Sequence, residues 1–238
     1  MIVAHATPPA PIVWVQAGHE GPREPGYTAQ TGAGDGPFGN EVGFTTRVAA
    51  RLVTRLRAAG VDARRTPGRV APFGSRGAVF ISLHHDSDGG HAAIGHAITG
   101  AGENWYHGEG FGTASPVPYS DSAPHRAATE VSPAVERRSL DLAKRIGVTY
   151  GAIHTPANGA RGAYTGVEPR NGNPRMMRYY GYYRTNAGAR VLIECGAPGV
   201  DDVFLRRVDP IAAAVGRGIT GYLRARGLLT QTSLSRVR

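Results

Sequence analysis

The chain has 238 residues, enough for a full hydrophobic core and too many for a small scaffold stapled by disulfides. Apolar residues make up 41%, which excludes wholesale disorder, while 34 Gly and 17 Pro foretell many turns and long loops. Lys and Arg number 27 against 18 Asp and Glu, a net charge of +9 in which Lys144 is the single lysine. That balance points to a polyanionic partner without choosing among nucleic acid, an anionic membrane surface and a phosphate- or carboxylate-bearing polymer.

Ile12-Val13-Trp14-Val15 follows a Pro-rich lead and reads as a buried strand ending at Gly18-His19-Glu20-Gly21. Phe44, Val48, Leu52 and Leu56, four residues apart, predict a helix from Glu41 to Ala59, with Asn40 as N-cap and Gly60 as a left-handed stop. Val61 to Thr66 and Ala78 to Leu83 read as the next two strands, the helix serving as crossover within one sheet. From Ser87 to about Ser132 the chain is mostly Gly-rich loop, with a strand expected over Gly95 to Thr99. Ser132-Pro133 opens a second long helix, with Val135, Leu142, Ala143 and Ile146 inward. Residues 157 to 189, dense in Gly, Asn, Arg and Tyr, read as a functional loop. Arg190 to Ile193 reads as the last strand, broken at Glu194-Cys195-Gly196, and Asp209-Pro210 opens a final helix closed by Gly227.

This alternation implies one α/β domain over residues 1–238, a mixed, mostly parallel sheet flanked by helices, with long loop insertions. The core spans about 11–227, and 228–238 is a basic tail without core pattern. No run approaches the ~18 apolar residues of a membrane span. Met1 to Ala10 lacks the basic start and apolar block of a secretory leader, so the expectation is a protein released from the cytoplasm or exported by another route. Cys195, the one cysteine, excludes an internal disulfide and a cysteine zinc finger, and reads as a buried strand thiol.

Four ionisable residues share a placement. His19 follows the first strand, His84 the third, Glu194 ends the last, and Glu41 opens a helix. In open α/β sheets ligands gather outside the carboxyl ends of strands, so residues distant in sequence line one crevice there. Two imidazoles and a carboxylate would leave a zinc ion its fourth position for water, the catalytic arrangement. Glu41 is favoured in its ionised form by the helix N-terminus. Of the adjacent His84 and His85, only one can face a given metal from an extended chain.

At these residues the chain resembles the zinc-dependent N-acetylmuramoyl-L-alanine amidases of the phosphorylase/hydrolase-like fold, often called amidase type 3. IVWVQAGHEG (Ile12 to Gly21) is similar to that family's strand followed by Gly-His-Gly-Gly. Glu41 with its Phe44, Val48 and Leu52 stripe resembles its second ligand helix. AVFISLHHD (Ala78 to Asp86) resembles the strand ending in Ser-Ile-His, and VLIECG (Val191 to Gly196) the strand bearing the catalytic glutamate. The chain departs from the pattern at Glu20, at His85-Asp86 and at Ala197-Pro198-Gly199. The resemblance implies Zn2+ held by His19, Glu41 and His84, with Glu194 as catalytic acid/base. The implied reaction is hydrolysis of the amide bond between N-acetylmuramic acid and L-alanine in peptidoglycan, as in a cell-wall lytic enzyme of the phage type.

For such a substrate, Arg161, Arg170, Arg175, Arg178 and Arg184 offer guanidinium forks to stem carboxylates, and the Tyr residues of the same loop offer faces to sugar rings. Three competing readings remain. One is a zinc carboxypeptidase or N-acyl amino acid deacylase of similar architecture, and another is a non-catalytic wall-binding module. The third is a nucleic-acid binder, which the charge suggests but no recognition-helix or RNP-like pattern supports.

Overall fold

Phe44, Val48, Leu52 and Leu56 are all fully buried, because their four-residue spacing puts them on one stripe of α1 (Glu41–Ala58), pressed against a sheet. The side chain of Asn40 accepts from Gly43 N at 3.2 Å, capping the first turn. Gly60, at φ 84°, ends the helix one residue earlier than the spacing predicts. The computed structural model describes residues 9–20, 34, 36–67, 75–99, 131–158, 164–170 and 185–230. The strands are β1 (Ile12–Ala17), β2 (Asp62–Pro67), β3 (Ser75–His84), β4 (Ala92–His96), β5 (Tyr164–Pro169) and β6 (Thr185–Cys195). The remaining helices are α2 (Pro133–Asn158), α3 (Asp202–Leu205) and α4 (Val208–Ala225). None of the described helices is long and apolar enough to cross a membrane.

The six strands form one sheet in the order β2-β1-β3-β6-β4-β5. Neighbours are parallel except β4 against β6, so β4 and β5 run opposite to the other four. This is the mixed, mostly parallel α/β sheet expected. Strand alternation divides it into two unlike faces. Val13, Val15 and Ala17 of β1, Val79, Ile81 and Leu83 of β3, and Val191, Ile193 and Cys195 of β6 enter one continuous core with α1, α2 and α4. Helix α1 covers β1 and β2, α2 covers β4, β5 and β6, and α4 packs against both helices. The alternate residues Gln16, Phe80, Ser82, His84, Arg190, Leu192 and Glu194 lie on the other face and are also buried.

Several boundaries differ from the sequence expectation, each for a local reason. β4 occupies Ala92–His96 rather than Gly95 to Thr99, because Gly89, at φ 77°, turns the chain early and Ala92, Ala93 and Ile94 are buried beside β6. β5 lies inside the stretch expected to be loop: an edge strand, half buried and carrying Gly166 and Pro169, it shows no apolar alternation. β6 is longer at both ends than Arg190 to Ile193. Asn186 and Ala187 carry little apolar weight yet pair with Arg76 and Gly77 of β3, and Glu194 stands within the strand rather than at a break. Helix α4 opens at Val208, and Leu229, assigned to the tail, packs into the core over the turn at Gly60. Arg161, Arg175, Arg178, Arg184, Tyr179, Tyr180, Tyr182, Tyr183, residues 100–130 and the tail from 231 onward lie outside the described residues.

Candidate metal centre

β1 ends at Ala17, and Gly18 N continues its ladder by donating to Leu83 O at 2.9 Å. Only glycine fits there: a Cβ on Gly18 would stand 2.2 Å from Cε1 and 2.5 Å from Nδ1 of His84. The next residue, His19, takes a left-handed backbone at φ 58°, rare for a side chain other than glycine, and this turn swings its imidazole over the end of the sheet. Thr45 Oγ1 donates to Gly18 O at 2.8 Å, tying the first turns of α1 to the end of β1 and bringing Glu41 to the same place.

His19 Nε2 lies 3.5 Å from Glu41 Oε2, and His84 Nδ1 lies 2.7 Å from Glu41 Oε1. The two imidazoles meet edge to face, with ring centres 5.2 Å apart. One ligand atom from each of the three residues lies within 4.8 Å of the others, the one such grouping among the described residues that could hold a metal ion. His84 and Glu41 are buried, while His19 is the more open of the three. Burial of His19, opposed by Glu41 and aided by the neighbouring imidazoles, lowers its pKa to about 4, so at neutral pH the ring is uncharged. Burial works to raise the pKa of Glu41, but the hydrogen bond from His84 and the nearby imidazoles prevail and bring it down to about 2.

The donor set fits a divalent cation on a further ground. Ser82 Oγ donates to Gln16 Oε1, so its oxygen is left to accept at 2.9 Å from His84 Nε2–H, which aims Nδ1 at Glu41. Nδ1 lies 2.7 Å from a carboxylate oxygen. A contact that short holds a shared proton in the metal-free protein, and a divalent cation would take the place of that proton between donors of the kind zinc accepts. His85 turns away, with its ring against Phe44 at 5.6 Å and its backbone N donating to Glu41 Oε1 at 3.2 Å.

Glu194 stands beside His84 in the parallel β3–β6 pair, on the same face of the sheet, and antiparallel to Ala93 on its other side. Its carboxyl is almost fully buried and meets Arg170 Nη2 at 2.8 Å. Burial first, and then the negative charge of Glu41, push its pKa up to about 8 against the pull of Arg170. All four residues singled out from the sequence thus gather at one end of the sheet. The pairing of Arg170 with Glu194 and the Gln16–Ser82–His84 string were not anticipated. Strand alternation puts Ser82 and His84 on one face and could have pointed to the string, whereas the weak pattern of β5 hides Arg170. Cys195 is buried in the core, and burial holds its thiol well above the usual range, which removes it as a nucleophile.

No family model and no curated protein matches the chain. Solved structures do. The N-acetylmuramyl-L-alanine amidase Ami1 of Mycobacterium smegmatis aligns with 92% of this chain and 100% of its own at 19% identity and a TM-score of 0.54. The N-acetylmuramoyl-L-alanine amidase of Clostridium difficile 630 aligns with 92% and 100% at 15% identity and a TM-score of 0.52. AmiC2 of Nostoc punctiforme aligns with 90% and 97% at 17% identity and a TM-score of 0.50. The fold of this chain, a mixed α/β sheet with its helices packed into one core, is that of the N-acetylmuramoyl-L-alanine amidases.

Proposed function

We propose that this chain is a single-domain, zinc-dependent peptidoglycan amidase that hydrolyses the bond between N-acetylmuramic acid and the L-alanine of the stem peptide. One observation carries the reading: a His-Glu-His donor set within 4.8 Å, built at the strand ends of a fold shared with amidases, with a buried carboxyl as cross-strand neighbour of one donor. His19, Glu41 and His84 would hold Zn2+. The ion, when bound, supplies Lewis-acid polarisation of the scissile carbonyl and lowers the pKa of water.

Glu194 is the group that moves the proton. In its ionised form it accepts a proton from the attacking water as the new C–O bond forms, then delivers it to the amine nitrogen as the C–N bond breaks, so that no covalent enzyme intermediate is needed. Its burial excludes bulk water from that exchange. Two of the three donors are held from behind: Ser82 Oγ engages His84 Nε2, and His85 N donates to the carboxylate of Glu41. The net charge of +9 favours approach to an anionic cell envelope, where this substrate lies.

The test is product analysis on purified muropeptides with the zinc-loaded protein. Release of the intact stem peptide with a new L-alanine amino terminus supports the reading. Loss of only the terminal residue would assign a carboxypeptidase, and retention on sacculi without cleavage a binding module.

A further inference from the structure

β4 separates β5 from β6, so a residue after β5 can reach Glu194 only by crossing a strand. Arg170 does so. Its backbone N donates to His96 O at 2.9 Å, which pins its start at the far end of β4. Its aliphatic stem then lies across Gly95, where a Cβ would meet Arg170 Cβ at 2.7 Å, Cγ at 2.9 Å and Cδ at 3.1 Å. Gly95 therefore leaves open the path that the stem occupies. At its tip the guanidinium divides its nitrogens between two carboxylates, Nη2 at 2.8 Å from Glu194 Oε1 and Nη1 at 3.1 Å from Glu168 Oε1. A planar fork can hold two oxygens in fixed directions at once, which the point charge of an ammonium cannot.

We infer that Arg170 is a positioning residue that fixes the Glu194 carboxyl beside the metal-ligand trio, reaching it along a path kept clear by Gly95. The inference rests on the amidase reading for the reaction it serves. A carboxylate buried in the sheet face keeps its rotamer only while a partner of matching geometry holds it, and Arg170 is that partner across the strand. Glu168 holds the other end of the guanidinium and itself lies 3.8 Å from His91 Nε2, so the group ends in a small polar set at the edge of the sheet.

The test compares R170Q, R170K and G95A with the wild-type zinc protein, using kcat and KM on a muropeptide, zinc content, and crystal structures. The backbone of Gly95 is not in the left-handed region, so alanine is allowed there and displaces the arginine without removing it. R170Q and G95A should lose roughly 10²-fold in kcat, the cost of misplacing a reacting group by about an ångström, with KM and zinc content preserved. R170K should keep more of kcat than R170Q. In crystals of R170Q the Glu194 carboxyl should leave its wild-type position. Unchanged kcat in R170Q and G95A, a loss confined to KM or zinc content, or a Glu194 carboxyl unmoved in R170Q would overturn the inference. A wild-type protein that cleaves no muropeptide would defeat the amidase reading instead, and the position of Glu194 in R170Q would still decide this one.

Discussion

His84 Nδ1 lies 2.7 Å from Glu41 Oε1, while the other nitrogen of the same ring is committed to Ser82 Oγ at 2.9 Å. A histidine held at one nitrogen presents the other as a fixed donor. S82A should therefore weaken zinc binding roughly 10- to 100-fold although no ligand is changed, the usual cost of losing the group behind a ligand. Competition with a chromophoric chelator measures it, and unaltered affinity would show that the ring is oriented by packing alone.

Gly18 gives a second test of the same ring. In G18A the new methyl would overlap His84 Cε1, 2.2 Å away, and Leu83 O, 2.5 Å away, so the ring or the end of β1 must move. Zinc binding should fall more than in S82A. Retention of wild-type affinity would mean that the end of the strand yields freely.

Glu194 is expected to separate chemistry from assembly. E194Q keeps the size and burial of the side chain but cannot take a proton from water, so hydrolysis should fall by roughly 10²- to 10⁴-fold with zinc still bound. Activity near the wild-type level would remove Glu194 from the reaction.

Acid and alkali should act on the metal-free protein through different residues. His19 falls from 6.5 to about 4 and Glu41 from 4.5 to about 2 on folding, so below pH 6.5 the unfolded chain binds protons that the native state refuses. Stability is then lost progressively as pH falls through these values. Glu194 rises from 4.5 to about 8, so its contribution is complete below pH 4.5 and is lost as pH climbs through 8. Thermal midpoints of metal-free wild type should fall on both sides, and E194Q should abolish most of the fall up to pH 8, above which the buried Cys195 thiol and Tyr150 hydroxyl, both raised by burial, add their own loss. An alkaline fall identical in E194Q would assign it to another group.

Tyr150 OH donates to Cys195 O at 2.6 Å, buried where the strand that carries Glu194 ends. Y150F leaves that carbonyl unsatisfied and should cost about 1–3 kcal/mol of stability, read from chemical denaturation. A smaller loss would mean that water reaches the carbonyl.

How much of this was legible beforehand depended on local pattern. The stripe Phe44, Val48, Leu52 and Leu56 needs no partner to declare a helix, and Asn40 and Gly60 mark its ends by backbone chemistry alone. His19, Glu41, His84 and Glu194 could be placed together because each sits at the end of an element whose periodicity is plain. β5 was hidden because an edge strand of half-buried, mixed residues has no period to read, and Arg170, read as one of five candidates for stem carboxylates, could not be placed against Glu194 without it. The start of β6 was missed for the opposite reason: small residues are accepted where Arg138 holds Gly188 O at 2.7 Å and neighbouring β3 supplies the pairing. Leu229 looked like tail because its contact is with the distant turn at Gly60.

The strand order has a consequence for synthesis. His19, Glu41 and His84 all precede β4 in the chain, while Glu194 arrives with β6, which must then insert between β3 and β4 in the middle of the sheet. A polypeptide made only as far as β5 would carry all three candidate ligands and still lack Glu194. The candidate site is therefore complete only once β6 is seated between its neighbours.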